Sequence, residues 1–388
     1  VRGGAADYDV AIAGGGPAGA AAALALLRTR PGLRVAVIEA SAFEGWRAGE
    51  TLAPGGREIL AGLGCWERVR DTAVACHGTR AVWGGDEPYD NEFVFSARGN
   101  GWHLDRVRFD AALLDTARAA GAVVFLRARI GASARLRDGT WLLAIENGPD
   151  TLTARRVIDA TGRAASFAAR QSARALVDDA LAGVAVTWEL GDTDARIDGT
   201  DVQFGTDARL DDTVAADTTT LVEACENGWW YSALLPGGRG IAVWMSDTDL
   251  IRAGGLRDGA RWTAALEATH ETRRRFERAR PAGPPVVRSA RSQRLAPVCG
   301  EGWIAAGDAA CAFDPLSSAG ILKALRSGKL AAFATLDALA GDASGTVRYA
   351  HLVEREYADY LAARQAFYAR ELRWPQAAFW ARRAKRVS

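Results

Sequence analysis

The chain has 388 residues, long enough for two domains that share an interface rather than one small core. Its 48 Lys and Arg balance 47 Asp and Glu, so no broad basic surface for nucleic acid or an anionic membrane is expected. Cys65, Cys76, Cys225, Cys299 and Cys311 form no CxxC pair, and only four histidines are spread along the chain. These patterns argue against a disulfide framework or a metal site and fit a reducing cytoplasm.

Asp9 to Ala13 reads as an apolar strand running into Gly14-Gly15-Gly16-Pro17-Ala18-Gly19, and Ala20 to Leu27 reads as a helix. This is the G-x-G-x-x-G spacing of a dinucleotide site. Gly14 suits the tight turn, Gly16 lets backbone approach a pyrophosphate, and Gly19 lets helix and strand pack closely. The pyrophosphate would sit over the helix start at Pro17 and Ala18. Arg34 to Ile38 reads as a second strand, ending in Glu39, twenty residues past Gly19, where a carboxylate can accept hydrogen bonds from ribose hydroxyls.

A charged loop, Arg47-Ala48-Gly49-Glu50-Thr51-Leu52, leads through Pro54 into a helix from Arg57 to Leu63. His77 to Trp83 and Glu92 to Phe95 read as short strands. Trp102-His103-Leu104 follows, and Asp105 caps a helix with the inner stripe Val107, Ala111, Leu114 and Ala117. Strands are predicted over Val123 to Leu126, Trp141 to Ile145 and Leu152 to Ile158, the last delivering Gly162 at its end. From about Ala175 to Val287 the pattern changes to tryptophan-rich strands, Leu181 to Leu190, Thr219 to Ala224, Trp229 to Leu234 and Gly240 to Met245, which suit an antiparallel sheet covered by a helix over Arg261 to Arg278. A third glycine-bearing strand, Trp303 to Ala306, ends in Gly307-Asp308. Asp314-Pro315-Leu316-Ser317-Ser318-Ala319-Gly320 then opens a helix from Ile321 to Leu339, and a second helix is predicted from about Val347 to Ala369. No apolar run reaches the ~18 residues of a membrane span, so neither an anchor nor a leader is expected.

The strand ends at Gly14, Gly162 and Gly307 should converge at one edge of a parallel sheet, where such folds bind ligands. In a flavoprotein Asp308 can reach the ribityl chain, and the helix start around Ser317, Ser318 and Gly320 would direct its positive dipole end at the flavin pyrimidine.

With these motifs the chain resembles the FAD-dependent monooxygenase superfamily. Gly49-Glu50-Thr51-Leu52, Trp102 to Arg106 and Gly228-Trp229-Trp230-Tyr231-Ser232 resemble its halogenase-like branch, and most closely the LodB-like flavoproteins that mature tryptophylquinone cofactors. The resemblance runs from about Tyr8 to Trp380. It implies an α/β architecture: a Rossmann-like FAD-binding domain of the p-hydroxybenzoate-hydroxylase type over residues 1–80, 104–174 and 288–340, an inserted mostly antiparallel substrate domain over 81–103 and 175–287, and a C-terminal helical segment over 341–388. It also implies FAD contacts from Gly14, Gly16, Pro17, Ala18, Gly19, Glu39, Arg47, Gly49, Glu50, Thr51, Arg106, Gly162, Gly307, Asp308, Pro315, Ser317, Ser318, Gly320 and Ile321.

Two departures from the family narrow the expectation. Flavin halogenases resemble one another in a catalytic lysine on the sheet after the GE-T/S loop, yet this chain has no lysine before Lys323. Hydroxylases that take NADPH directly resemble one another in an Asp-Gly motif where this chain reads Asp159-Ala160-Thr161-Gly162, so electrons from NAD(P)H through a separate flavin reductase are expected. The implied activity is hydroxylation of an electron-rich aromatic ring by a flavin C4a-hydroperoxide formed with O2, the ring being a tryptophan in a peptide or protein. Alternatives are a small-molecule aromatic hydroxylase, an atypical halogenase, or a dehydrogenase of the geranylgeranyl-reductase type. Trp83, Trp102, Trp229, Trp230, Tyr231 and Trp244 are the candidate ring-stacking residues. His103, His77 and Glu50 are the candidates for acid or base work.

Overall fold

The computed structural model describes residues 6–93, 96–190 and 218–384. The end of the predicted strand at Val94 and Phe95, and Lys385, lie outside these residues. The first sheet is built on β1 (Tyr8–Ala13), which turns through the glycines into α1 (Pro17–Thr29) and continues as β2 (Val35–Glu39). The helix α2 (Arg106–Ala119) carries the chain to β3 (Val123–Leu126), and β4 (Thr151–Asp159) follows a hairpin of Arg129–Arg135 and Trp141–Glu146.

A second, eight-stranded sheet is formed largely by β5 (Leu181–Glu189), β6 (Thr220–Cys225), β7 (Gly228–Leu235), β8 (Arg239–Asp247) and β9 (Val286–Ser289). Gly78–Val82 extends it by pairing parallel to β6. The chain then returns to the first sheet as β10 (Trp303–Ala305), from which α3 (Gly320–Leu339) and α4 (Ser344–Tyr368) complete the fold.

The parallel core of the first sheet runs β10-β4-β1-β2-β3. Ala13 lies opposite Asp159, and Asp159 opposite Ala305, so the three glycine turns leave one edge side by side. Every residue of β2 is buried, as expected for a strand covered on both faces. Close helix packing depends on small residues: a Cβ at Gly328 of α3 would lie 2.1 Å from the Ala18 carbonyl oxygen of α1.

Local readings differ from the sequence in several places, among them the strand read at Glu92 to Phe95, which lies at Tyr89–Glu92. The buried face of α2 is wider than the expected stripe: Leu114 and Ala117 are buried and Val107 and Ala111 partly covered, but Phe109, Asp110 and Leu113 are buried as well. The helix predicted over Arg261 to Arg278 is broken into Gly259–Glu267 and Glu271–Phe276, because the Glu223 carboxylate accepts the backbone N–H groups of His270 and Thr272 and starts a new helix there. Ala73–Cys76 is an additional strand, pairing with Gly101–Leu104, which also pairs with Thr51–Leu52. That small sheet fixes the Glu50 loop between the two large ones.

Among the described residues no helix is long and apolar enough to cross a membrane, and no group of three or more His, Cys, Asp and Glu is arranged to hold a metal.

Candidate active site

A cavity of about 580 Å³ runs from the β1 glycine turn to the inner face of the second sheet. At its first end Gly14 has φ +96°, and a Cβ there would lie 2.4 Å from the Ala160 carbonyl oxygen. Only glycine fits this turn. A Cβ at Gly16 would meet nothing within 4 Å, so that edge of the turn is open, while one at Gly19 would lie 1.9 Å from the Gly14 oxygen. Gly19 therefore sets helix-to-strand packing and does not line the cavity. Pro17 and Ala18 line it at the start of α1. Glu39 also lines it, accepting the Gly15 N–H at 2.7 Å and the Ser41 N–H at 3.0 Å.

The loop before Glu50 is held by Arg106. Its Nη1 donates to the carbonyls of Ala48 at 2.8 Å and Gly49 at 2.7 Å, while Nη2 and Nε grip Asp110 at 3.0 and 3.1 Å. Arg47 lies 3.4 Å from Asp110 and 3.5 Å from Glu39. Burial works against the Arg106 cation, but Asp110 and Glu50 beside it outweigh that and hold its pKa above the usual arginine value. Asp110 was not picked out from sequence, although its place four residues after Arg106 on the same helix is the signal that could have found it.

Along the middle of the cavity lie Gly162, Asp308, Pro315, Ser318, Gly320 and Ile321. Asp308 lies 3.7 Å from Arg163 Nε and accepts from Lys323 Nζ at 2.8 Å. Burial alone would raise its pKa; the Lys323 and Arg163 charges overcome this and hold it below the ordinary aspartate value. Gly307 and Ser317 do not line the cavity. Gly307 N–H donates to Ser327 at 2.7 Å, and the Ser317 hydroxyl donates to the Asp314 carbonyl at 2.9 Å, so both are spent on shaping the turns.

The far end is a wall of Gly183, Ala185, Tyr231, Val243 and Met245. Tyr231 bonds the Thr51 hydroxyl across 2.9 Å, tying the Glu50 loop to the second sheet. Glu50 is 4% exposed and lines the cavity, and its Oε1 is buried with no hydrogen-bond partner. Burial pushes its carboxyl up to about 7, against the opposing pull of Arg106.

Five of the six aromatic candidates lie elsewhere. Side chains alternate across a strand, so Trp230 and Trp244 occupy the face opposite Tyr231, packed with each other at 5.2 Å and under Trp262. Trp229 shares the Tyr231 face, but its Nε1 donates to the Tyr368 hydroxyl at 3.0 Å and α4 covers it. Trp83 is packed 5.2 Å from Trp380 and donates to the Phe367 carbonyl, and Trp102 meets Trp66 edge-on at 4.8 Å. Neither histidine candidate lines the cavity. His103 is fully buried, 3.0 Å from the Thr220 hydroxyl, and His77 is exposed. Conversely, Trp46, Arg163, Met245 and Arg288 line the cavity without having been picked out from sequence.

These residues fit FAD. The open edge at Gly16 leaves room for phosphate beside a helix N-terminus, Glu39 lines the cavity at the end of the second strand, where a ribose could be held, and the cavity continues past Asp308 to a wall that a ring system can face.

The FAD binding domain family matches residues 7–176. The chain is 30% identical over 385 residues to LodB of Marinomonas mediterranea, named as an FAD-dependent oxidoreductase, covering 97% of each chain. Its fold superposes on the myxobacterial chondrochloren halogenase CndH with a TM-score of 0.82, at 22% identity, over 97% of this chain and 85% of that one. It also superposes on QhpG, described as a peptidyl tryptophan dihydroxylase essential for tryptophylquinone cofactor biogenesis, with a TM-score of 0.75, at 22% identity, over 99% of this chain and 80% of that one. The chain therefore belongs to the LodB family of FAD-dependent oxidoreductases, flavoenzymes of the halogenase and hydroxylase type.

Proposed function

We propose that this enzyme hydroxylates the indole ring of a tryptophan held in a peptide or protein. The observation that carries this reading is the ionisable group at the far wall: a buried carboxyl, Glu50, with an unpartnered oxygen and a pKa of about 7, in a cavity that no lysine lines among the described residues. The nearest lysine in sequence, Lys323, is committed to Asp308 and to the Cys311 carbonyl and is 5% exposed. The fold itself serves both halogenation and hydroxylation, so the residues must choose. The activity named for QhpG supports the tryptophan reading.

Overall, one oxygen atom of O2 enters the ring C–H bond as hydroxyl and the other leaves as water, with two electrons from NAD(P)H delivered by a separate flavin reductase. Bound FAD would supply the oxygen activation. The FAD would be held by Gly14, Gly16, Pro17, Ala18, Glu39, Arg47, Gly49, Arg106, Gly162 and Asp308, with Pro315, Ser318, Gly320 and Ile321 along α3. The chain's own residues do the rest. Arg106 fixes the loop through two carbonyls, so that Glu50 keeps its place. A carboxyl with a pKa near neutrality can give a proton and take one back within a turnover. Burial raises the Tyr231 phenol well above its usual pKa, so it stays protonated and, with Thr51, closes the wall. Gly183, Ala185, Val243 and Met245 offer a low apolar surface suited to a planar ring and exclude water from it.

The test supplies FAD-loaded protein with NADH, a flavin reductase, oxygen-18 gas and a tryptophan-containing peptide. The proposal expects the label in the peptide and only in its indole. A peptide oxidised without label would indicate a dehydrogenase, and an unmodified peptide with a labelled small aromatic acid would move the substrate to small molecules.

A further inference from the structure

Building on the reading of a tryptophan-bearing peptide, we propose that Trp46 and Arg288 form an anion subsite that selects an acidic residue next to the target tryptophan. Both side chains line the cavity. The Arg288 guanidinium lies 5.7 Å from the centre of the Trp46 ring. It forms no ion pair with a carboxylate among the described residues, and its Nη1 donates only to the adjacent Val287 carbonyl at 3.1 Å. The Trp46 Nε1–H is buried and has no hydrogen-bond partner. By contrast, the cavity's aspartates are engaged: Asp110 by Arg106 and Arg47, Asp308 by Lys323 and Arg163, Asp314 by Arg364. A free guanidinium beside a buried, unused N–H donor is a site for a carboxylate, which accepts from both.

The register of the second sheet sets the distance from this subsite to the ring-facing wall. Arg288 pairs with Gly183, and Gly183 with Met245, so the three stand in one row across the sheet. The adjacent row runs from Val286 through Ala185 and Val243 to Tyr231. Three strand spacings of roughly 4.8 Å place the β9 backbone about 14 Å from that of β7. An extended peptide advances about 3.3 Å per residue, so with both side chains spanning part of the gap, a ring at Tyr231 and a carboxylate at Arg288 belong to neighbouring residues. A tryptophan's own carboxylate is too near its ring to reach both. Gly183 between them leaves the row low: a Cβ there would lie 2.8 Å from Val243 and 3.0 Å from the Met245 sulfur.

The experiment titrates FAD-loaded protein, following the flavin absorbance, with two capped peptides that differ only in glutamate or glutamine beside the tryptophan. The glutamate peptide should bind about tenfold more tightly at low salt. Arg288→Gln should abolish that preference, Arg288→Lys should keep part of it, and Trp46→Phe should reduce it while retaining FAD. Arg288 is exposed, so its variants should fold, and their FAD content reports this directly. Equal binding of the two peptides, binding of neither, or a preference that survives Arg288→Gln overturns the subsite. Tighter binding of indole-3-propionate than of the glutamate peptide overturns the assignment to a peptide. The hydroxylation reading fails separately: acid-selective binding without oxygen-18 uptake removes it and leaves the subsite, whereas oxygen-18 uptake that ignores the neighbouring residue removes only the subsite.

Discussion

Replacing Glu50 by Gln should make the protein more stable in mild alkali while crippling it as an enzyme. The carboxyl is buried and its pKa rises from 4.5 to about 7 on folding. Each tenfold change in proton affinity corresponds to about 1.36 kcal/mol, so the charged form is disfavoured in the fold by roughly 3 kcal/mol, an order-of-magnitude value. The sign follows from proton counts: between these pH values the native state binds more protons than the unfolded chain, so stability falls as pH rises from 4.5 through 7. Below pH 4.5 both states are protonated and the penalty vanishes. Gln has no charge to bury, so Glu50→Gln should match wild type near pH 4.5 and exceed it by up to roughly 3 kcal/mol above pH 7.5. Urea unfolding at several pH values measures this, and single-turnover oxidation should slow by about 10²-fold, a typical loss for an acid or base. A stability difference that does not change with pH, or a variant that keeps the wild-type pH–rate profile, would mean that Glu50 neither buries a charge nor handles the proton.

Further predictions concern the cavity and its supports. Gly19→Ala forces a Cβ to within 1.9 Å of the Gly14 oxygen, so α1 must shift and FAD binding, followed by flavin fluorescence quenching, should weaken strongly. Lys323→Met removes the ammonium that lowers the Asp308 pKa and should weaken FAD binding more as pH falls, whereas Lys323→Arg should restore part of it. Tyr231→Phe removes the bond to Thr51, worth about 1 kcal/mol net, and should lower the thermal midpoint slightly while loosening substrate more than FAD. Trp230→Phe, on the covered face of the sheet, should leave substrate KM within about twofold, because its ring touches Trp244 and Trp262 and not the cavity.

The cofactor half of the site was legible because its constraints are local. A turn that only glycine can make, a strand that ends in an acid, and a proline opening a helix each leave a mark within a few residues, and parallel pairing of Ala13, Asp159 and Ala305 brings the marks together. The substrate half obeys tertiary constraints. Both faces of the second sheet are covered, one by Trp262 and Phe276 and the other by the cavity, Tyr368 and Trp380, so alternation of aromatics along β7 could not tell which tryptophan faces the ring site. Trp229 and Trp230 differ by one position and by a whole layer. Arg288 left no signal because it acquires its role from a distant segment, Trp46, whereas Asp110 stands four residues after Arg106 on one helix, a spacing from which the pair could have been read. His103 looked reactive beside Arg106, but strand Gly101–Leu104 turns it toward Thr220.

Halogenases share this fold, and the proposed function has this cavity oxygenate a ring instead. A single reaction containing FAD-loaded protein, reduced flavin supply, a tryptophan peptide, oxygen-18 gas and excess bromide separates the two chemistries. A hydroxylase gives peptide carrying oxygen-18 on the indole and no bromine; brominated peptide would make the enzyme a halogenase.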